Sequence, residues 1–270
     1  VLLAGALSGC RHGATVKEHA AFLEKGFQIS KPAGDGPFPA VLLFHGCGGL
    51  VDEESEKRIM PDYARAAVEA GFAVIIVDSL RPRGIGFDQA RKTVCKGLRL
   101  RGRNRAGDVV AAVYYAKGLS FVAPEKIVLA GWSHGGWAVM ETMIMDLETD
   151  WPPSLQKPAP GALDGVVAVY LTYPYCGFPS RAPQRRWARR ARTSVVLAEL
   201  DEVAKRKPCE RAFVRMQESG VSLDVEIYAS QTHAFDEADQ TEHSEFIYDS
   251  AATERAHARF KGFLLNLQKH

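Results

Sequence analysis

Six short apolar runs, spread along most of the chain, limit what it can fold into. They occupy residues 40–45 (AVLLFH), 73–78 (AVIIVD), 126–130 (KIVLA), 165–171 (GVVAVYL), 194–198 (SVVLA) and 223–228 (LDVEIY). A strand with one wet face alternates apolar and polar residues. Runs without that alternation, rich in β-branched residues, belong in a sheet covered on both sides. Amphipathic helical patterns separate them, at residues 59–70, 107–117, 136–146, 208–219 and 251–267, with Gly71 and Gly220 as stops. In the second of these helices Val109, Val110, Val113 and Tyr114 are expected to share the packed side. The alternation predicts an α/β fold: a mostly parallel central sheet with right-handed crossovers and helices on both faces. Residues 20–30 are expected to add an antiparallel edge strand.

With 270 residues, 46% of them hydrophobic, the chain can build one large core, so residues 11–270 read as a single domain. A net charge of +2 gives no overall field for nucleic acid, and no recognition motif suggests such a partner. Arginines do concentrate at 99–105 (RLRGRNR) and 181–192 (RAPQRRWARRAR). Both stretches read as solvated faces or contacts for anionic lipid, with steering of an acidic substrate as the sharper alternative. Residues 1–10 (VLLAGALSGC) differ in kind, being small, apolar and closed by Cys10. They read as a truncated signal segment ending in a lipobox. The expectation is an exported protein of the periplasm or cell envelope, lipid-anchored at Cys10 and meeting the membrane only through that anchor.

The sequence GWSHG, residues 131–135, falls where the third run gives way to a helical pattern. A sharp strand-to-helix turn there would lift Ser133 above the sheet edge, with glycines where side chains would strike neighbouring elements. A serine hydroxyl is a weak nucleophile until a base takes its proton. His257 falls inside the last helical pattern, His270 ends the chain and His243 lies in a polar stretch. His233 follows the last strand through the short loop ASQTHAFD and is the expected base. The acid should follow the run at 194–198, where ELDEVAKRKPCE offers Glu199, Asp201 and Glu202. Glu199 still belongs to the strand end, Asp201 stands where the turn begins, and Glu202 is second choice. The first run ends in HGCGG, whose glycines allow backbone to approach a ligand closely. The backbone N–H of Cys47 there, paired with that of His134, is the expected oxyanion hole. Trp132 and Tyr173, with Tyr175, are candidates for the pocket mouth.

The segments LLFHGCGG, VDSLRPRG, LAGWSHGG, ELDEVAKRKPCE, THAFD and YDSAATERAHARFKGFL make the chain, from about residue 40 onward, resemble the α/β-hydrolases and more narrowly the dienelactone hydrolase family. The resemblance implies hydrolysis of an ester or lactone with no cofactor; the expected substrate is a small molecule, anionic if the arginine clusters steer it, and no metal site is expected. It implies Ser133 as nucleophile, Asp201 as acid and His233 as base. The family's namesakes use a cysteine nucleophile and are cytosolic, whereas this chain has serine and reads as exported. A peptidase or acyltransferase could use the same triad, and a non-catalytic binding lipoprotein of this fold is the alternative from another class. Besides Cys10 there are four cysteines, which in an exported chain suggest two disulfides. In the hydrolase sheet that the resemblance implies, the strands before Cys47 and Cys95 are neighbours, as are those before Cys176 and Cys209. The expected pairs are therefore Cys47–Cys95 and Cys176–Cys209.

Overall fold

The computed structural model describes residues 13–52, 55–239 and 246–269. Cys10 with the rest of the 1–10 segment, His243 and His270 lie outside the described residues. Seven strands form one sheet: β1 (Phe27–Ser30), β2 (Phe38–Phe44), β3 (Ala73–Val77), β4 (Val122–Trp132), β5 (Val166–Thr172), β6 (Arg192–Ala198) and β7 (Leu223–Tyr228). Their order is β1-β3-β2-β4-β5-β6-β7; β1 runs antiparallel to β3, and every other pairing is parallel. The helices are α1 (Val16–Leu23), α2 (Ile59–Glu69), the short α3 (Phe87–Gln89), α4 (Gly102–Lys117), α5 (His134–Ile144), α6 (Arg206–Glu218) and α7 (Ser250–Leu267).

Successive side chains of a strand point to opposite faces. Leu42, Phe44, Ile75, Val77, Leu129 and Leu171 therefore pack on one face, against α4, α5 and α6. Their neighbours Val41, Leu43, Val74, Ile76, Val128 and Ala130 pack on the other, against α2 and α7. Both faces are apolar, which is why these runs show no polar alternation.

Three local expectations need correction. β7 is an edge strand, not a doubly covered one: Asp224, Val225 and Ile227 are exposed and only Tyr228 is buried. The antiparallel edge strand is only four residues long, because Ala20 to Leu23 belong to α1 and pack on Ala111 of α4. Tyr114 is 46% exposed, and the buried stripe of α4 is instead Ala106, Val109, Val110, Val113 and Ala116. α4 also begins five residues earlier than its apolar pattern. At Gly102 a Cβ would lie 2.4 Å from the Trp137 ring, so the first turns of α4 and α5 touch where no side chain fits between them.

Two disulfides tie loops that leave the carboxyl edge of the sheet: Cys47–Cys95 and Cys176–Cys209. They close segments of 48 and 33 residues, worth about 4 kcal/mol each on loop-closure entropy. Such bonds persist in oxidising compartments. Among the described residues no helix is long and apolar enough to cross a membrane.

Candidate active site

β4 ends at Trp132 and α5 begins at His134, so Ser133 alone makes the turn. Its backbone sits at φ 48°, ψ −113°, a region L-residues avoid at a cost of about 1–3 kcal/mol. Three backbone hydrogen bonds hold it there. Ser133 donates to the Thr172 carbonyl, and its own carbonyl accepts from Trp137 and Tyr175, each at 3.0 Å. The glycines are required by the surroundings. A Cβ on Gly135 would lie 2.0 Å from the Phe44 carbonyl oxygen, and one on Gly131 would lie 2.7 Å from the backbone of Gly135 and Gly136.

The loop after β7 brings His233 over this serine. Its Nε2 lies 2.9 Å from Ser133 Oγ and its Nδ1 lies 2.7 Å from Asp201 Oδ2. With Nδ1–H donating to the carboxyl, Nε2 is left to accept from the hydroxyl. The other oxygen of Asp201 accepts backbone N–H groups from Val203 (2.9 Å) and Ala204 (2.6 Å), which fixes the carboxyl plane. The alternative carboxyls face elsewhere. Glu202 is exposed and pairs with Lys205, and Glu199 accepts from the Ser230 backbone at 2.9 Å. Ser133, His233 and Asp201 are each no more than 9% exposed, so the relay is largely shielded from water.

Ser133 and His233 border a cavity of about 500 Å³ that is also lined by Gly46, Cys47 and Phe246. Trp132 and Tyr173 line it as well, but as buried walls rather than at its mouth. Trp132 packs on Tyr63 at 4.5 Å between ring centroids, and Tyr173 packs on His233 at 4.8 Å. Tyr175 turns away onto Trp137. His134 is the first residue of α5, where helix N–H groups lack intrahelical acceptors. The Lys57–Glu237 and Arg58–Asp239 ion pairs join the segment before α2 to the segment after His233, and Lys57, Glu237 and Asp239 line the same cavity.

Two groups beneath the site were not singled out by sequence. Asp236 is fully buried and accepts from Tyr63 (2.7 Å) and Tyr173 (2.5 Å). Burial lifts its carboxyl to about 6, against the pull of the two tyrosine hydrogen bonds. Arg105 is fully buried on α4, and it corrects the reading of residues 99–105 as a solvated face. Arg181 likewise turns inward onto Glu141 and Asp150, at 2.7 Å each. The available signal for Arg105 was helical phase: it precedes Val109, Ala112 and Ala116 at spacings that share one buried stripe. For Asp236 it was proximity, three residues beyond His233 in THAFD.

A mostly parallel sheet with a serine at a strained strand-to-helix turn, in reach of a histidine on the last loop, defines an α/β-hydrolase. Within that class the chain is similar to two families over different parts of its length: residues 157–267 match the dienelactone hydrolase family, and residues 63–149 match the prolyl oligopeptidase family. The chain is similar to a dipeptidyl-aminopeptidase B of Fusarium vanettenii, 33% identical over 106 residues, which are 39% of this chain and 11% of that relative. It thus spans about a tenth of the length of the curated relatives it matches. A propionate-bound thermophilic esterase of Thermogutta terrifontis superposes with a TM-score of 0.63 at 15% identity, covering 89% of each chain. A dienelactone hydrolase-like promiscuous phosphotriesterase from metagenomic libraries superposes with a TM-score of 0.62 at 18% identity, covering 89% of this chain and 92% of its own. At such identities the likeness speaks for the fold.

Proposed function

We propose that this chain is a serine hydrolase of small carboxylic esters or lactones that works through an acyl-enzyme. The observation that carries the reading is the relay from Ser133 through His233 to Asp201 at a strained turn facing a cavity. Ser133 Oγ attacks the ester carbonyl as His233 Nε2 takes its proton. Asp201 holds the imidazole in the needed tautomer and stabilises the imidazolium. The oxyanion rests on the N–H groups of Cys47 and His134, each such donor typically being worth about 2.7–4 kcal/mol. His233 returns the proton to the departing alcohol, then deprotonates the water that clears the acyl group. The dienelactone hydrolase match and the esterase-like fold support this choice of substrate class.

A peptidase on the same triad is the second reading, favoured by the prolyl oligopeptidase match over 63–149. A panel of p-nitrophenyl esters run beside dipeptidyl anilides separates the two: ester turnover with anilides untouched is expected. Ser133→Ala should abolish fluorophosphonate labelling and lower ester kcat by a factor approaching about 10⁶ while the chain stays folded. A variant keeping a tenth of the wild-type rate would sink the reading. The disulfides fit an exported enzyme, and we place its lipid anchor at Cys10. Mass spectrometry of mature protein from its envelope, finding Cys10 unmodified, would exclude the anchor.

A further inference from the structure

We propose that Arg105 is a positioning residue that holds both oxyanion donors, the backbone N–H groups of Cys47 and His134, in one fixed arrangement. The proposal rests on the esterase reading above. A guanidinium can only donate. Arg105 Nη1 donates to the His45 carbonyl at 2.8 Å and to His134 Nδ1 at 3.1 Å, while Nε donates to Ser79 Oγ at 2.9 Å. One contact of this fork grips the residue just before Gly46-Cys47. The other grips the side chain of the residue that carries the second donor.

Each contact has a consequence for a donor. Because Nδ1 of His134 accepts, its imidazole is neutral; burial, and next Arg105, hold its pKa well below the usual histidine range. The pinned ring fixes the first residue of α5 and so the direction of its N–H. At His45, Nε2 accepts from the Ser79 backbone N–H at 3.1 Å, so the ring proton sits on Nδ1, 2.6 Å from the Gly46 carbonyl oxygen. Burial, then Arg105, likewise keep His45 neutral. In a trans peptide the carbonyl and the following N–H point in opposite directions. Capture of the Gly46 carbonyl by His45 therefore turns the Cys47 N–H away from the His45 ring. The loop so held lies against the nucleophile: a Cβ on Gly46 would sit 3.7 Å from Ser133 Cβ.

Scaffolding alone does not require a cation here. A buried charge carries a large desolvation penalty, and apolar residues of similar volume often stabilise as well or better. Arg105 keeps its charge because Asp108 and Asp78 lie near it; burial lowers its pKa, but only to about 10. The close approach of α4 to α5 at Gly102 and Trp137 delivers the guanidinium to both grips.

The test uses Arg105→Met and Arg105→Lys in the full chain, with functional sites counted by fluorophosphonate labelling. Hydrolysis of a p-nitrophenyl ester is then measured per labelled site, along with inhibition by a trifluoromethyl ketone, which becomes an oxyanion when Ser133 adds to its carbonyl. Arg105→Met should lower kcat per site by roughly 10²-fold with KM within about threefold, and weaken the ketone by the same factor as kcat/KM. Arg105→Lys should fall between, since an ammonium at that place cannot hold all three acceptors. Fewer labelled sites with unchanged turnover per site would mean a merely structural residue and overturn the proposal. If Arg105→Met does not fold, Arg105→Lys and His134→Leu carry the test, and a loss of ester turnover per labelled site with ketone inhibition unchanged would overturn it. Wild-type protein that neither labels nor hydrolyses esters would take down the esterase reading itself, a result distinct from labelled sites indifferent to Arg105.

Discussion

Two carboxyls lie equally deep in this molecule and answer burial in opposite ways. Asp108 sits on the sheet face covered by α4 and α5. It accepts from Arg83 through both oxygens, at 2.7 and 3.0 Å, and contacts His19 Nε2 at 2.7 Å. Asp236 sits on the other side, beneath the loop that carries His233, and its partners are the hydroxyls of Tyr63 and Tyr173. Burial pushes both pKa values up. At Asp108 the charge of Arg83, with His19, outweighs it and holds the group at about 2; at Asp236 the tyrosines do not, and the group stands near 6. Depth sets the penalty, and the charge of the partner decides whether it is overcome. The α4 side of the site is thus braced by charges that cancel, and the His233 side by neutral hydroxyls around a reluctant acid.

Asp108→Asn should break the contrast most severely. It removes a fully buried carboxylate from the partly buried Arg83, a change that costs up to about 3–5 kcal/mol, and a urea unfolding curve reads it directly. An effect below about 1 kcal/mol would mean that Arg83 is satisfied by water.

Asp236→Asn should instead change the pH dependence of stability. An acid whose folded pKa lies above its unfolded value binds extra protons when folded. Asp236 moves from 3.8 to about 6, so its contribution is fully present below about pH 4 and lost as pH rises through about 6. The loss amounts to about 3 kcal/mol at neutral pH for a shift of this size. Asp108 does the reverse: its stabilisation is present above about pH 4 and disappears as pH falls toward 2. Unfolding free energies near pH 4.5 and 7.5 should therefore differ between wild type and Asp236→Asn by roughly 2 kcal/mol. Parallel profiles would show that Asp236 does not titrate in this window.

Tyr63→Phe sharpens the comparison with the smallest step. It deletes one donor to Asp236 and should cost about 1 kcal/mol, less than breaking the Arg83–Asp108 pair. A larger loss would show that the hydroxyl itself carries the base-side bracing.

Much of the sheet was legible because its physics is local. Runs such as AVIIVD bury both faces, and GWSHG marks its own turn through glycines that nothing larger can replace. LDVEIY misled because its apolar residues resemble a core strand, yet β7 lies at the sheet edge. Arg105 was hidden in RLRGRNR, whose composition looks solvated. Its burial depends on partners far along the chain: the carbonyl of His45, the hydroxyl of Ser79 and the ring of His134. Asp236 stood in a motif that was noticed for its histidine, and only Tyr63 and Tyr173 give it a place. A polar side chain buried by tertiary contacts has no periodic signature of its own.

The disulfides also decide what a protease would leave behind. A nick between Cys47 and Cys95, or between Cys176 and Cys209, cuts the backbone without separating the pieces. Such a nicked chain would run as one band until thiol is added, and only then split. The second bridge also spans the cleavable arginine-rich stretch at 181–192, so trypsin can open that loop and leave the segment bearing Ser133 tethered to the segment bearing Asp201 and His233.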